Sequence, residues 1–187
     1  MKKILAIVAV ALFTATAAQA QGFGSVEYGS RDGVDGNADS NAVKVTLGSK
    51  INENVSVDVS SRFAKQDGST SNNTTRLEAG VTGTMPLASG FSIYTRGAVG
   101  ERFTSTGDNS YYAVEPGVKY AVTPALTAKV GYRYRDAFTS SDNDLTRTWR
   151  LGADYALTKQ HSIGLGYDRV RGDSNFNAIT VNVGMKF

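Results

Sequence analysis

From about residue 25 onward, apolar side chains recur at every second position, in one segment after another. Val43, Val45 and Leu47 alternate with Lys44 and Thr46, and Val55, Val57 and Val59 with Ser56 and Asp58. The same rhythm runs through Leu77, Ala79 and Val81; Val114, Val118 and Tyr120; Ala128, Val130, Tyr132 and Tyr134; Leu151, Ala153 and Tyr155; and Ile163, Leu165 and Tyr167. Period two puts successive side chains on opposite faces of a strand, and no helical spacing is sustained anywhere. Twenty glycines against three prolines suit a chain of strands and turns. The alternation predicts ten strands, over roughly 25–31, 41–49, 54–65, 75–86, 90–104, 109–122, 125–137, 145–157, 160–170 and 175–187.

The connections alternate as well. Long ones rich in Gly, Asp, Asn, Ser and Thr ("DGVDGNADSN", "KQDGSTSNNTT", "TSTGDNS", "AFTSSDNDLT", "RGDSN") take turns with tight ones ("SKINEN", "PLASG", "TPAL", "LTKQ"). A soluble β-sandwich also shows period two, but nothing in it sorts long loops from short turns. A transmembrane barrel does so, with long loops outside, short turns in the periplasm and an even strand count returning both ends to one side. Only a closed barrel satisfies every backbone group of a sheet in hydrocarbon. The expected fold is therefore all-β, a transmembrane antiparallel up-and-down barrel of ten strands, with eight or twelve if a weak strand is miscounted.

Aromatic positions fit two girdles. Trp149 and Tyr155 fall toward opposite ends of one strand, and Tyr112 and Tyr120 lie eight residues apart, about 20–25 Å along a tilted strand. Tyr28, Phe63, Phe103, Tyr134 and Tyr167 fall toward outer ends, and Phe91 and Phe187 toward inner ends.

The N-terminus, MKKILAIVAVALFTATAAQA, has a basic start, an apolar run shorter than a membrane span and an Ala18-Gln19-Ala20 cleavage site. Residues 1–20 are thus expected to be a secretory signal peptide, and residues 21–187 the barrel domain. Removing twenty of 187 residues leaves 167 and lowers the charge from +3 to +1, because Lys2 and Lys3 go with no acid. Neither this charge nor any cluster of Lys and Arg on one element supports a nucleic-acid partner. With no cysteine, the exported chain must be stable without disulfides.

The segment "AITVNVGMKF" at 178–187 resembles the C-terminal strand signature of Gram-negative outer-membrane proteins. That resemblance implies that Ile179, Val181, Val183, Met185 and Phe187 face lipid and are read by the barrel-assembly machinery.

If apolar residues face lipid, the alternate residues face the lumen. Twelve are basic: Arg31, Lys44, Arg62, Arg76, Arg96, Arg102, Lys119, Lys129, Arg133, Arg135, Arg150 and Lys186. Six are acidic: Glu27, Asp58, Glu78, Glu115, Asp154 and Asp168. The remaining negative charge is assigned largely to the loops, where Asp144 and Asp173 sit among other aspartates. Two readings follow. The six acids pair with six bases and close a narrow barrel with a salt-bridged core, or a wet bore keeps unpaired cations that favour anions. Small lumen residues, Gly80, Gly117, Gly131, Gly152, Gly164, Gly166 and Gly184, leave room that long side chains either fill or line.

The mature chain resembles small OmpA/OmpX-like outer-membrane barrels. Its arginine-rich strands, such as "KVGYRYRD", and its tail are also similar to the oligogalacturonate-specific (KdgM-type) porins. That second likeness implies a narrow monomeric channel for acidic oligosaccharides, with Arg96, Lys129, Arg133, Arg135 and Arg150 of the matching type. It also implies twelve strands where ten are counted here.

Other motifs carry less. "RGD" at 171–173 is as well explained by a tight turn as by adhesion. The acids of "DGVDGNAD" lack the spacing of a calcium loop. His161 is the sole histidine, and its neighbour Ser162 points to the opposite face, so nothing completes a catalytic triad. No catalytic residue, metal site or cofactor is expected. The expectation is a monomeric outer-membrane porin with a basic lumen for small anionic solutes, with outer-membrane lipid and lipopolysaccharide around it. The alternative is a non-conducting barrel whose loops contact lipopolysaccharide or a partner.

Overall fold

The computed structural model of the chain describes residues 21–34, 39–66, 73–105, 107–139 and 144–187. The expected signal peptide at 1–20 lies outside the described residues, as does the middle of "DGVDGNAD". Ten strands follow in order: β1 (Gly22–Gly33), β2 (Ser40–Lys50), β3 (Val55–Gln66), β4 (Asn73–Pro86), β5 (Phe91–Phe103), β6 (Asp108–Ala121), β7 (Leu126–Ala137), β8 (Thr146–Ala156), β9 (His161–Gly172) and β10 (Phe176–Lys186). Each pairs antiparallel with its sequence neighbours, and β1 closes on β10. Every boundary falls within three residues of the one expected from the alternation. The count is ten, not the twelve implied by likeness to the oligogalacturonate porins.

The tight connections gather at one end of the barrel with both ends of the described chain, and the longer ones at the other. Asn52 Oδ1 accepts the N–H groups of Asn54 and Val55 at 2.8 Å, and Thr158 Oγ1 accepts that of His161 at 2.9 Å. Such side-chain-to-backbone bonds set compact turns. The β4–β5 turn uses a 3-10 segment, Ala88–Gly90, with Ser89 and Gly90 at positive φ.

Polarity is inverted relative to a water-soluble domain. The outward rows are apolar yet open, with Leu165 60% and Ile179 64% exposed. A continuous apolar surface of this kind is stable only against hydrocarbon. At the turn end Phe91 and Tyr120 stack with ring centroids 4.4 Å apart. At the loop end Tyr132 meets Trp149 edge-on at 5.1 Å, and Tyr112 lies 5.5 Å from Phe138. These are the two girdles.

The seam between first and last strands is paired from Phe23↔Lys186 to Gly33↔Phe176. Phe187 N–H donates to Gly22 O at 2.9 Å. The Phe187 ring occupies the space that a Cβ on Gly22 would need, so the aromatic side chain covers the seam on the outside.

Candidate lumen site

Inside, the alternate residues meet across the barrel. Seven charged groups from β3 to β9 form one continuous chain of ion pairs. Arg96 Nη2 meets Asp58 Oδ2 at 2.6 Å, and its Nη1 meets Glu78 Oε1 at 2.6 Å. Arg133 Nη2 donates to the other oxygen of Glu78, and its Nη1 lies 3.6 Å from Glu115 Oε2. Arg150 donates to that same Glu115 oxygen at 3.0 Å, with Asp168 3.6 Å away. Tyr111 Oη donates to Glu78 at 3.0 Å and Tyr94 Oη to Glu115 at 3.3 Å. Buried carboxylates must be compensated in this way.

Each expected lumen residue can now be placed. Asp58, Glu78, Glu115, Asp168, Arg96, Arg133 and Arg150 come together in that chain. Lys129 and Asp154 form a separate, half-exposed pair at 2.9 Å. Arg102 and Arg135 converge at 2.6 and 2.8 Å on Asp144, which is 1% exposed. Asp144 belongs to the lumen, not to the solvated loops. It precedes β8 and folds inward, so the lumen holds twelve basic groups against seven acidic ones, not six. Arg31, Lys44, Arg62 and Arg76 form no ion pair among the described residues, nor do Lys119, Lys186 and Glu27. Arg31 lies over the Phe176 ring at 4.8 Å and Lys119 over Tyr94 at 4.9 Å. Nε of Arg31, Arg62 and Arg76 is buried without a hydrogen bond.

Apart from Gly29 on β1 and Gly48 on β2, which lies under the Phe23 ring, the inward glycines divide into two groups. On β4–β8 they are cradles: Gly80 lies under the Arg96 guanidinium, Gly100 under Tyr111, Gly117 and Gly131 under Tyr94, and Gly152 under Lys129. On β9 and β10, Gly164, Gly166 and Gly184 face only short chains, namely Asn182 with Asp154, Thr180, and Ser162. The lumen is consequently filled from the β3–β8 side and lined by small residues along β9 and β10, while β1 and β2 contribute Phe23, Glu27, Arg31 and Lys44.

Three lumen cavities lined by described residues follow from this asymmetry. The largest, about 220 Å³, is lined by Glu27, Lys119, Lys129, Asp168, Thr180 and Asn182, among others. Two smaller ones, about 50 and 30 Å³, are lined by Arg62, Arg76, Arg133 and Arg135. Arg150 borders all three.

Besides Asp144, sequence reasoning missed the inward aromatics Phe23, which covers Gly48, and Tyr94 and Tyr111, because aromatics in a barrel strand default to the girdle. A signal existed. Tyr111 stands directly opposite Gly100, and Tyr94 opposite Gly117, which in turn faces Gly131. An aromatic beside a glycine in register covers it. Outside the lumen, the Arg171 guanidinium donates to the carbonyls of Val170 and Phe176, and Asp173 accepts from Leu145 N–H at 2.7 Å. The tripeptide at 171–173 is a tied turn.

Comparison with known proteins agrees with this architecture. The family model "Outer membrane protein beta-barrel domain" matches residues 5–152. No curated protein matches the chain. Among solved structures, the β domain of the Bordetella autotransporter BrkA is similar at a TM-score of 0.60 and 10% identity, over 90% of this chain and 99% of that one. An outer membrane channel from Pseudomonas putida F1 gives 0.56 and 10% over 90% and 96%. The KdgM porin gives 0.47 and 15% over 90% and 99%. The first two likenesses are of fold. The chain belongs to the outer membrane protein beta-barrel domain family.

Proposed function

We propose that this outer-membrane barrel is a narrow, monomeric channel for small anionic solutes. The observation that carries the reading is the one-sided lumen. Ion pairs and cradled aromatics occupy the β3–β8 side, and the β9–β10 wall is lined by Gly164, Gly166, Thr180, Asn182 and Gly184 beside the 220 Å³ cavity. A plug needing only to be stable has no reason to leave one wall bare. Anion preference rests on Arg31, Lys44, Arg62 and Arg76, cations that the network leaves unpaired and that stand on the loop side of the constriction. Fixed positive charge in a low-dielectric bore draws anions and repels cations. Arg150, bordering the chambers above and below, is the constriction itself.

The second reading, a non-conducting structural barrel, is favoured by the continuity of the ion-pair chain across seven strands. Single-channel recording of the protein in a planar bilayer under a salt gradient separates the two. Steady steps with an anion-favouring reversal potential support the channel. A folded, heat-modifiable barrel without steps supports the structural role.

A further inference from the structure

The outward rim at the loop end has one sector built unlike the rest. Arg147 on β8 stands directly opposite Arg171 on β9, and Arg169 directly opposite Trp149. By strand parity all three point away from the lumen. Like charges directly opposite on one face of an antiparallel pair are unfavourable unless something anionic lies with them. Arg171 is engaged by Val170 O, Phe176 O and Asn177 Oδ1. Arg147 and Arg169 are exposed and have no hydrogen bond or ion pair among the described residues. The nearest acids by register are already used: Asp136 accepts from Tyr134 Oη at 2.8 Å and Ala137 N–H at 2.9 Å, and Asp173 from Leu145 N–H. Elsewhere the outward rim is mixed or acidic, with Asp32 on β1, Lys65 on β3 and Glu101 on β5.

The depth of the pair is set by the girdle. On β8 the outward row below Arg147 runs Trp149, Leu151, Ala153, Tyr155 and then Leu157 in the turn. From Leu157 to Trp149 is about 27 Å along the strand and about 21 Å along the axis of a barrel tilted by roughly 40°. Arg147 and Arg169 therefore lie at the upper edge of the hydrocarbon, at headgroup level. Beside them begins a shallow apolar groove of about 410 Å³, lined on the outside by Ile93, Thr95, Pro116, Val118, Val130 and Trp149. It exists because Thr95 and Pro116 are short. The outward Gly83 and Gly97 on neighbouring positions have nothing within 4 Å of where a Cβ would stand.

We infer that this sector docks one molecule of the phosphorylated glycolipid of the outer leaflet, lipopolysaccharide. Arg147 and Arg169 hold its headgroup phosphates, and the groove receives an acyl chain. The guanidinium fork matches phosphate oxygens bidentately. The adjoining groove selects a lipid over a free anion. This site is on the outer surface and is independent of whether the lumen conducts.

The test uses protein extracted from outer membranes in mild detergent. Native mass spectrometry counts bound lipopolysaccharide, and titration of delipidated protein gives the affinity. The unaltered protein is expected to retain about one molecule per barrel. Arg147→Gln with Arg169→Gln should weaken binding about tenfold or more, while Lys65→Gln with Glu101→Gln, on the same rim but outside the sector, leaves it unchanged. Heat-modifiable mobility verifies folding of each variant. Lipopolysaccharide stripped of its phosphates should bind no better to the unaltered protein than intact lipid binds to the double arginine variant. Equal binding by that double variant overturns the inference, as does equal binding of the dephosphorylated lipid. Displacement by millimolar inorganic phosphate would reduce the site to one for simple anions and would also overturn it.

Discussion

Replacing Glu78 by Gln tests whether the lumen is a packed ionic core or a set of solvated charges. Glu78 is 7% exposed and accepts from Arg96, Arg133 and Tyr111. Glutamine keeps the volume but removes the charge that two guanidiniums share. Arg96 retains Asp58, through bonds of 2.6 and 3.1 Å, and Arg133 retains only Glu115 at 3.6 Å. Two charge-assisted bonds at about 1.5–3 kcal/mol each are weakened, and only part is recovered by the remaining partners. The expected loss is about 3 kcal/mol, at the lower end for breaking a buried pair. The comparison is Asp154→Asn, whose partner Lys129 and own side chain are 36% and 35% exposed. That pair is screened by water, so its loss should cost below about 1 kcal/mol. Trp149, the sole tryptophan and lipid-facing, reports insertion, so urea unfolding of vesicle-embedded barrel followed by its fluorescence reads both variants. Equal, small losses for Glu78→Gln and Asp154→Asn would refute the argument, because they would mean that water reaches the network throughout.

Three further outcomes follow from the same geometry. Thr180→Tyr places a neutral ring in the largest cavity against the bare wall. Single-channel conductance should fall at least about threefold with the reversal potential unchanged in sign; full conductance would move the path elsewhere. Arg62→Gln with Arg76→Gln removes cations that have no carboxylate partner, so salt-gradient recordings should show weaker anion preference. Urea unfolding of the same double variant should show stability equal or higher, the reverse of what removing a paired arginine does. Gly131→Val would bring a Cβ to 2.5 Å from Tyr94 Oη, and the displaced ring should lower urea stability by about 1–3 kcal/mol.

The fold was legible because lipid imposes a one-dimensional rule. A strand facing hydrocarbon must be apolar at every second residue, and a hairpin barrel pairs each strand with its neighbour, so parity and count can be read along the chain. The parity rule also brought the predicted lumen charges to one face. Their partners were not legible. Arg96 reaches Asp58 across 38 residues of sequence and Arg133 reaches Glu78 across 55. Which carboxylate a guanidinium meets depends on strand tilt, stagger and the lengths of side chains crossing a bore, none of which leaves a periodic trace. Asp144 shows the limit plainly: it sits in a segment of loop composition, yet two arginines on β5 and β7 draw it inward.

The division of the lumen follows from how glycine is used on its two sides. A glycine opposite a long side chain lets that chain lie flat against the wall, as Gly117 does for Tyr94 and Gly152 for Lys129. This fills the bore sideways, and it lets charges on different strands meet at ion-pair distance. A glycine opposite Ser, Thr or Asn has nothing long to receive, and the wall stays bare, as at Gly166 beside Thr180. One residue type therefore builds both the rigid half and the open half, and the decision lies with its register partner. The same rule holds on the outer face, where Gly97 has nothing within 4 Å of where a Cβ would stand and leaves the surface open, while Gly22 beneath Phe187 closes a seam. In a barrel of ten strands, too narrow to be both packed all round and permeable, a one-sided filling would reconcile a chain of buried ion pairs with the passage proposed above.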